Sequence, residues 1–152
     1  MKIVTLCFLM KEGEICLAMK KRDFGVGKYN GVGGKVKDGE TIENAALREM
    51  EEEIGVTSEV RHLEGVGNLK FYFNGKPEWN QHMHIFIVKN WNGEPRESEE
   101  MKPEWYKIDK IPFDEMWLDD IYWLPRVLEG EKICGKFYFN EEGDKILNYK
   151  LT

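Results

Sequence analysis

Residues 34–56, GKVKDGETIENAALREMEEEIGV, place an acidic helix directly after a glycine-rich loop. Thr41 is a suitable N-cap for this helix, because its hydroxyl can accept a hydrogen bond from a backbone N–H of the first turn. Gly55 stands where a left-handed residue commonly ends a helix. At about 100° per residue, the helix predicted over residues 41–53 has one apolar stripe. The stripe consists of Ile42, Ala45, Ala46 and Met50.

Two acids of this helix lie on the apolar stripe itself. Glu49 and Glu53 are spaced i and i+4 and project from the same side as the alanines, whereas Glu52 lies on the margin. An amphipathic helix normally keeps its acids on the opposite face, because burying like charges together is costly unless something cancels them. Arg48 can pair with Glu52 across one turn but cannot neutralise three acids. A hard divalent cation bound through oxygen ligands would do so. The alternative is a solvated acidic helix without a metal.

The loop ahead of the helix combines glycines with cations. Glycine lets the backbone approach a ligand closely. Cations beside carboxylates are a recurring arrangement in phosphoryl chemistry. The spacing of the glycines matches neither a P-loop nor a dinucleotide-binding fingerprint. The glycines are Gly31, Gly33, Gly34 and Gly39, and the cations are Lys20, Lys21, Arg22, Lys28, Lys35 and Lys37.

The same segment resembles the signature of the Nudix hydrolase superfamily at every fixed position. That signature is G, five residues, E, seven residues and then R-E-U-x-E-E-x-G-U, where U is aliphatic. The matching residues are Gly34, Glu40, Arg48, Glu49, Met50, Glu52, Glu53, Gly55 and Val56. The resemblance is specific, because all of these positions agree in register. It implies a pyrophosphohydrolase that uses Mg²⁺, or Mn²⁺ in its place.

Length and composition predict one globular domain over residues 1–152. The chain is 41% hydrophobic and 33% charged, and no apolar run approaches membrane-spanning length. Its net charge of −6 argues against a nucleic acid polymer as partner, since such proteins need a broad basic surface. Cys7, Cys16 and Cys134 are odd in number and widely spaced, which is typical of reduced cysteines in the cytoplasm. We expect a cytoplasmic monomer that contacts no membrane and acts on a small nucleoside triphosphate.

Strand patterns outnumber helix patterns along the chain. Apolar or alternating runs predict strands over residues 3–10, 14–20, 60–66, 69–73, 82–89, 104–108, 132–139 and 145–151. A second helix is predicted to begin at Asp119 or Asp120 and to run to about Glu129, before Gly130. Two helices would then cover the sheet on two sides. The predicted fold class is α/β, a Nudix-type α/β/α sandwich with a mixed β-sheet.

Residues 100–125, EMKPEWYKIDKIPFDEMWLDDIYWLP, are dense in tryptophan and aspartate. One interpretation is structural: Asp120 caps the second helix, Asp119 is solvated, and Trp117 and Trp123 fill the core. The other follows from a resemblance over residues 5–151, which includes MKKRDFGVGKYNGVGGKV and MWLDDIYW. In these segments the chain resembles the Nudix branch of mammalian-type oxidised purine nucleoside triphosphatases, which sanitise nucleotide pools and avoid DNA damage.

This resemblance implies a base pocket and a metal site, residue by residue. The implied metal ligands are the Gly33 carbonyl and the carboxylates of Glu49, Glu53 and Glu100, and we add Glu52 as a candidate ligand. The implied base contacts are Asn30 at the base edge, Phe71 and Trp117 on its two faces, and Asp119 and Asp120 on the oxidised edge, with Thr5 and Lys20 toward the sugar. We add Trp123 to the substrate-binding residues, and Lys35 as a contact to phosphate oxygens.

The chemistry of an oxidised purine supports the assignment of the aspartates. Oxidation at C8 turns N7 from an acceptor into a donor and adds a carbonyl group. Two neighbouring aspartates in an apolar slot would share a proton, because each carboxyl raises the pKa of the other and burial raises both. Such a pair offers a donor and an acceptor to an edge that a normal base lacks. Gln81, in PEWNQHMH, departs from the family's apolar pattern near the pocket rim, so the choice among oxidised purines stays open.

The sequence therefore predicts Mg²⁺-dependent hydrolysis of oxidised purine nucleoside triphosphates, such as 8-oxo-dGTP, to the monophosphate and pyrophosphate. Glu52 or Glu53 would deprotonate the attacking water, with Arg48 orienting the carboxylates. One alternative is a Nudix hydrolase of another nucleoside diphosphate derivative, such as a dinucleotide or a nucleotide sugar. A second is a non-catalytic nucleotide-binding module. Such modules typically lose signature carboxylates, and this chain keeps them, which disfavours the second alternative.

Overall fold

The computed structural model describes residues 1–152, which form eight β-strands and two α-helices. The strands are β1 (Lys2–Lys11), β2 (Glu14–Lys20), β3 (Tyr29–Asn30), β4 (Leu63–Phe73), β5 (Gln81–Val88), β6 (Met101–Lys107), β7 (Ile133–Phe139) and β8 (Ile146–Leu151). The helices are α1 (Ile42–Ile54) and α2 (Asp120–Leu128). Neither helix combines the length and the apolar character needed to cross a membrane.

The strands form one mixed sheet with the order β3-β2-β1-β5-β4-β7-β8, and β6 pairs with β2. β1 is parallel to β5 and β4 is parallel to β7, while the other pairs are antiparallel. One hydrophobic cluster, which includes Met50 of α1, lies on one face of the sheet. A larger cluster, which includes Trp123 of α2, lies on the other. The predicted α/β/α sandwich with a mixed sheet is confirmed.

α1 has the predicted caps and the predicted buried stripe. The Thr41 hydroxyl accepts a hydrogen bond from the Asn44 N–H at 3.1 Å, and Gly55 ends the helix with a φ of 70°. The buried residues of the helix are Ala45, Ala46, Met50, Glu53 and Ile54. One acid is therefore fully within the apolar stripe, as the periodicity predicted, and the helix is more than a solvated acidic surface.

The strand predictions differ from the structure in three places, each for an identifiable reason. Val60–His62 form a turn of 3₁₀ helix where a strand was predicted. β4 then runs unbroken where two strands were predicted, because the chain forms a β-bulge between Gly65 and Gly67 that leaves the strand paired. β6 begins at Met101, earlier than predicted, since it pairs with β2 as far as Lys20.

The glycine-rich loop is held between β1 and β2, and this opens the sheet. The two strands pair only beside their connecting turn, where Met10 lies opposite Ile15. Further along β1, the Cys7 N–H donates to the Val32 carbonyl at 2.6 Å and the Thr5 N–H donates to the Gly34 carbonyl at 2.9 Å. A Cβ atom on Gly33 would lie 1.8 Å from the Thr5 carbonyl oxygen, so only glycine allows this approach. The loop thus separates β1 from β2 and borders a cleft.

Candidate active site

A cleft of about 210 Å³ lies where β1 and β2 diverge. β1 contributes Thr5, β2 contributes Lys20 and β4 contributes Phe71 to its walls. The segment leading into α2 contributes its aspartates, and α1 contributes a carboxylate. Of the residues predicted from the sequence, the cleft is lined by Thr5, Lys20, Asn30, Gly33, Glu53, Phe71, Trp117, Asp119 and Asp120. Residues far apart in the chain therefore meet at one site.

Asp119 and Asp120 form a buried carboxyl pair in this cleft. They are only 4% and 2% exposed. Oδ2 of Asp119 accepts a hydrogen bond from Nε1 of Trp123 at 2.8 Å, while Oδ2 of Asp120 is buried without a partner. The side chain of Asp119 makes no capping bond to α2. The structural interpretation is wrong for the aspartates, because Asp119 is buried and Asp120 lies within α2, but it is right that Trp123 fills the core.

Burial controls the ionisation of this pair. Burial raises the pKa of Asp119, against the lowering effect of the hydrogen bond from Trp123. Burial, and next the charge of Asp119, raise the pKa of Asp120 well above its usual range. Lys28 faces the pair, and its charge partly lowers the pKa of Asp120. The raised pKa values favour one shared proton on the pair, which would give the cleft both a donor and an acceptor.

Trp123 has a different place from the one predicted. It is fully buried, packs on Phe8 with ring centroids 6.1 Å apart, and does not line the cleft. The prediction of direct substrate contact is therefore corrected, because the Trp123 side chain lies in the core and acts on the cleft by orienting Asp119.

The cleft wall includes two residues that the sequence interpretation did not assign to the base pocket. Phe24 and Lys28 both line the cleft, from the loop between β2 and β3. The Phe24 ring lies 5.1 Å from the Trp117 ring, and Nζ of Lys28 lies 5.3 Å from the Trp117 centroid. Phe24 is half exposed. An aromatic residue in a basic, glycine-rich loop was the available signal.

The loop and α1 bring backbone and carboxylate groups together at the same cleft. Glu53 is 6% exposed, and its Oε1 accepts a hydrogen bond from the Gly33 N–H at 2.9 Å. Burial raises the pKa of Glu53 to about 7, although the hydrogen bond from Gly33 opposes the shift. A Cβ atom on Gly34 would lie 2.6 Å from the carboxylate of Glu49. The glycines thus leave room for two α1 carboxylates beside the loop.

Arg48 ties the signature carboxylates to one another and to the loop. Its Nε donates to Glu40 at 2.7 Å and its Nη1 donates to Glu49 at 2.8 Å. Nη1 also reaches Glu52 at 3.2 Å, and Nη2 donates to the Lys35 carbonyl at 3.1 Å. The hydrogen bond from Arg48 lowers the pKa of Glu40 to about 2. These contacts give Arg48 an orienting position.

Several predicted residues lie outside the cleft wall. The exposed Lys35 side chain does not line it, and Glu52 is directed toward solvent. Glu100 binds Lys20 at 2.9 Å and Arg22 at 2.6 Å. No group of three or more His, Cys, Asp or Glu side chains is arranged to hold a metal ion. The candidate donors are all oxygen atoms, which suits a hard divalent cation, but Glu49 and Glu100 are engaged by cationic side chains here.

Comparisons with known proteins extend over nearly the whole chain. The NUDIX domain profile matches residues 2–127. The oxidized purine nucleoside triphosphate hydrolase of Danio rerio is 49% identical over 150 residues, which are 99% of this chain and 94% of that protein. The protein of the same description from Mus musculus is 45% identical over 150 residues, again 99% of this chain and 94% of that protein. A MutT protein structure from Bacillus halodurans has a TM-score of 0.86 at 27% identity, covering 99% of this chain and 97% of that one.

Proposed function

The chain belongs to the NUDIX family of hydrolases, and from that premise we propose that it hydrolyses nucleoside triphosphates with an oxidised purine base. The products are the nucleoside monophosphate and pyrophosphate, which removes damaged precursors from the nucleotide pool. The observation that carries the proposal is the buried Asp119–Asp120 pair in the cleft, with the unpartnered Oδ2 of Asp120. Relatives at 49% and 45% identity with that description support it.

The carboxyl pair suits the edge of an 8-oxopurine. That edge presents an N7–H donor and a C8 carbonyl acceptor, whereas a normal purine presents an N7 acceptor. A pair that shares one proton donates to the carbonyl and accepts from N7–H. A buried polar atom left without a partner costs about 1–3 kcal/mol, so a normal purine binds with a penalty. Phe71 and Trp117, both in the cleft wall, supply apolar faces for the ring.

The other part of the cleft suits the phosphates and a divalent metal. Nudix hydrolases generally use divalent metals, and we propose Mg²⁺ held by the Gly33 carbonyl with Glu49, Glu52, Glu53 and Glu100. When bound, such an ion neutralises charge on the phosphate oxygens and activates water. Arg48 orients Glu49 and Glu52 through its hydrogen bonds. Glu53 is the better candidate of the two acids for taking a proton from water, because it lines the cleft and Glu52 does not.

We further propose that residues 1–152 act as one domain, as a cytoplasmic monomer. The sheet supports a single unit, since β1 at one end of the chain and β8 at the other belong to it. The three cysteines are free, and Cys7 and Cys16 are buried, which fits a reducing compartment.

Substrate preference tests the proposal. kcat/KM is measured with Mg²⁺ for 8-oxo-dGTP, an oxidised dATP and normal dGTP, and the products are identified. We expect the oxidised substrates to exceed dGTP by about 5- to 150-fold or more, and pyrophosphate to be released. Glu53→Gln is the control, and its loss of turnover assigns the activity to this cleft. Faster hydrolysis of a dinucleotide or a nucleotide sugar would overturn the proposal.

A further inference from the structure

One face of the sheet is not covered by a helix over β4, β7 and β8. α1 packs on β1 and β6 and makes no comparable contact with these three strands. Phe86 and Val88 of β5 lie in the cluster beneath α1, so the alternate residues His84 and His82 belong to the same face. Their cross-strand neighbours on β4 are Asn68 and Lys70.

The strand register aligns three lysines on this face. Lys70 of β4 lies opposite Lys136 of β7, and Lys136 lies opposite Lys150 of β8. None of the three forms a salt bridge. Neighbouring strands are about 4.8 Å apart, and like charges directly opposite one another destabilise a sheet. Three lysines without salt-bridge partners therefore lie in one row, although the net charge of the chain is −6.

An aromatic pair lies beside the lysine row. Tyr72 and Tyr138 are cross-strand neighbours one step further along β4 and β7. Their rings stack with centroids 5.0 Å apart and an interplanar angle of 13°, and Tyr138 is 37% exposed. Burial lowers the pKa of His82 and of His84, so both are neutral at neutral pH. The lysines therefore supply the positive charge of the face.

We propose that this basic sheet face, defined by Lys70, Lys136, Lys150, Tyr72 and Tyr138, binds a short single-stranded nucleic acid. The lysines neutralise backbone phosphates, and the tyrosine rings offer a surface on which a base stacks. An acidic peptide would satisfy the lysines but would not use the aromatic pair. The net negative charge of the chain argues against a broad basic surface. The proposed nucleic acid contact is therefore limited to this one face.

Fluorescence anisotropy with a labelled oligothymidylate and a labelled oligouridylate tests the proposal and separates DNA from RNA. With three phosphate contacts, log K should fall with log salt at a slope of about −2, or roughly 20-fold between about 50 and 200 mM salt. Lys136→Glu should remove measurable binding, and Lys150→Glu should repeat the effect. Lys110→Glu is the matched control, because Lys110 is exposed, unpaired and on a 3₁₀ turn away from these strands.

Variants of Tyr138 test the contribution of the tyrosine rings to binding. Tyr138→Ala should raise Kd about fivefold or more through lost stacking, while Tyr138→Phe should retain wild-type affinity. Lys136→Glu should also raise Tm, since it replaces two repulsions, with Lys70 and with Lys150, by two attractions across the strands. A gain in Tm together with lost binding separates a binding role from a structural one.

A failure of this proposal can be distinguished from a failure of the proposed hydrolase activity. Hydrolysis by Lys136→Glu should equal that of wild type, because the residue lies outside the cleft. Absence of binding by wild type, or equal Kd values for Lys136→Glu and Lys110→Glu, would overturn the proposal. So would a dimer seen by light scattering that Lys136→Glu dissociates, since the face would then be an interface between copies.

Discussion

The orientation of the Asp119 carboxyl depends on a residue that does not itself line the cleft. Trp123 is fully buried, and its indole N–H holds Oδ2 of Asp119 at 2.8 Å. A carboxyl held in this way cannot turn outward to cap α2. Its neighbour Asp120 keeps a buried oxygen without a partner. A buried polar atom without a partner is costly, so the arrangement is understandable if a ligand completes it.

Asp119→Asn should impair recognition without harming stability. The amide can still accept from Trp123 but cannot share a proton with Asp120, so kcat/KM for the oxidised substrate should fall about 5- to 150-fold. Burial raises the pKa of both carboxyls, so the stability that their protonated forms contribute is lost as pH rises. Asp119→Asn has one ionisable carboxyl fewer, so it loses less stability as pH rises. Its Tm should therefore equal or exceed that of wild type. Kinetics across pH and melting curves check both effects, and unchanged kcat/KM would contradict the assignment.

Lys28→Met should move the alkaline limb of the kcat/KM profile to higher pH. The positive charge of Lys28 lowers the pKa of Asp120, so its removal lets the pair keep its proton to higher pH. Lys76→Met is the matched control, because Nζ of Lys76 lies 4.0 Å from the ring centroid of Trp79 but does not line the cleft. Identical pH profiles for the three proteins would rule out this influence of Lys28.

α1 and the loop before it contain one position expected to affect stability and another expected to affect catalysis. The N-cap Thr41 stabilises the helix but lies outside the cleft. Gly34 contributes little to the helix, yet a Cβ there would meet the carboxylate of Glu49. The carboxylate is the mobile end of a side chain, so it can shift without disturbing the core. Variants at the two positions should therefore have opposite effects.

Gly34→Ala should lower kcat while leaving Tm nearly unchanged. A displaced carboxylate beside the reacting phosphate should cost about 10- to 100-fold in rate, since misplacement near 1 Å has effects of that size. Thr41→Ala removes one capping bond, worth about 1 kcal/mol, and should lower Tm by about 2–4 °C with kcat retained. Calorimetry and steady-state rates for both variants test the contrast. A loss of Tm in Gly34→Ala equal to that of Thr41→Ala would refute it.

At the scale of the whole molecule, stability should depend on pH through Glu53. Burial raises its pKa from 4.5 to about 7, so the contribution of its protonated form is complete below 4.5 and is lost as pH rises through 7. Without metal, the free energy of unfolding should fall by about 3 kcal/mol between about pH 5 and pH 8. Mg²⁺ should raise Tm more at the higher pH, because it binds the ionised carboxylate.

Glu53→Gln provides the control for this pH dependence. Glutamine has no ionisable group, so the variant should lose both the Glu53 part of the pH slope and most of the stabilisation by Mg²⁺. Melting curves of wild type and variant, with a chelator or with Mg²⁺, give all four comparisons. Equal slopes in the two proteins would show that another group controls stability in this range.

Features that depend on local periodicity could be predicted from the amino-acid sequence alone. Helical spacing predicted α1, its caps and the placement of Glu53 among apolar residues, and each is present. Strand patterns and the Nudix signature predicted the fold class. These predictions succeed because the position of a side chain around a helix or along a strand follows from its spacing within that element.

Packing between distant segments determined which elements meet and in what register. It placed Asp119 and Asp120 in a cleft and Trp123 behind them, where the sequence left helix capping open. It also brought Phe24 and Lys28 to Trp117, and it aligned the lysines of β4, β7 and β8 in one row. Contacts between distant segments and the register of paired strands depend on the partner segments and their connections, so spacing within one segment does not fix them.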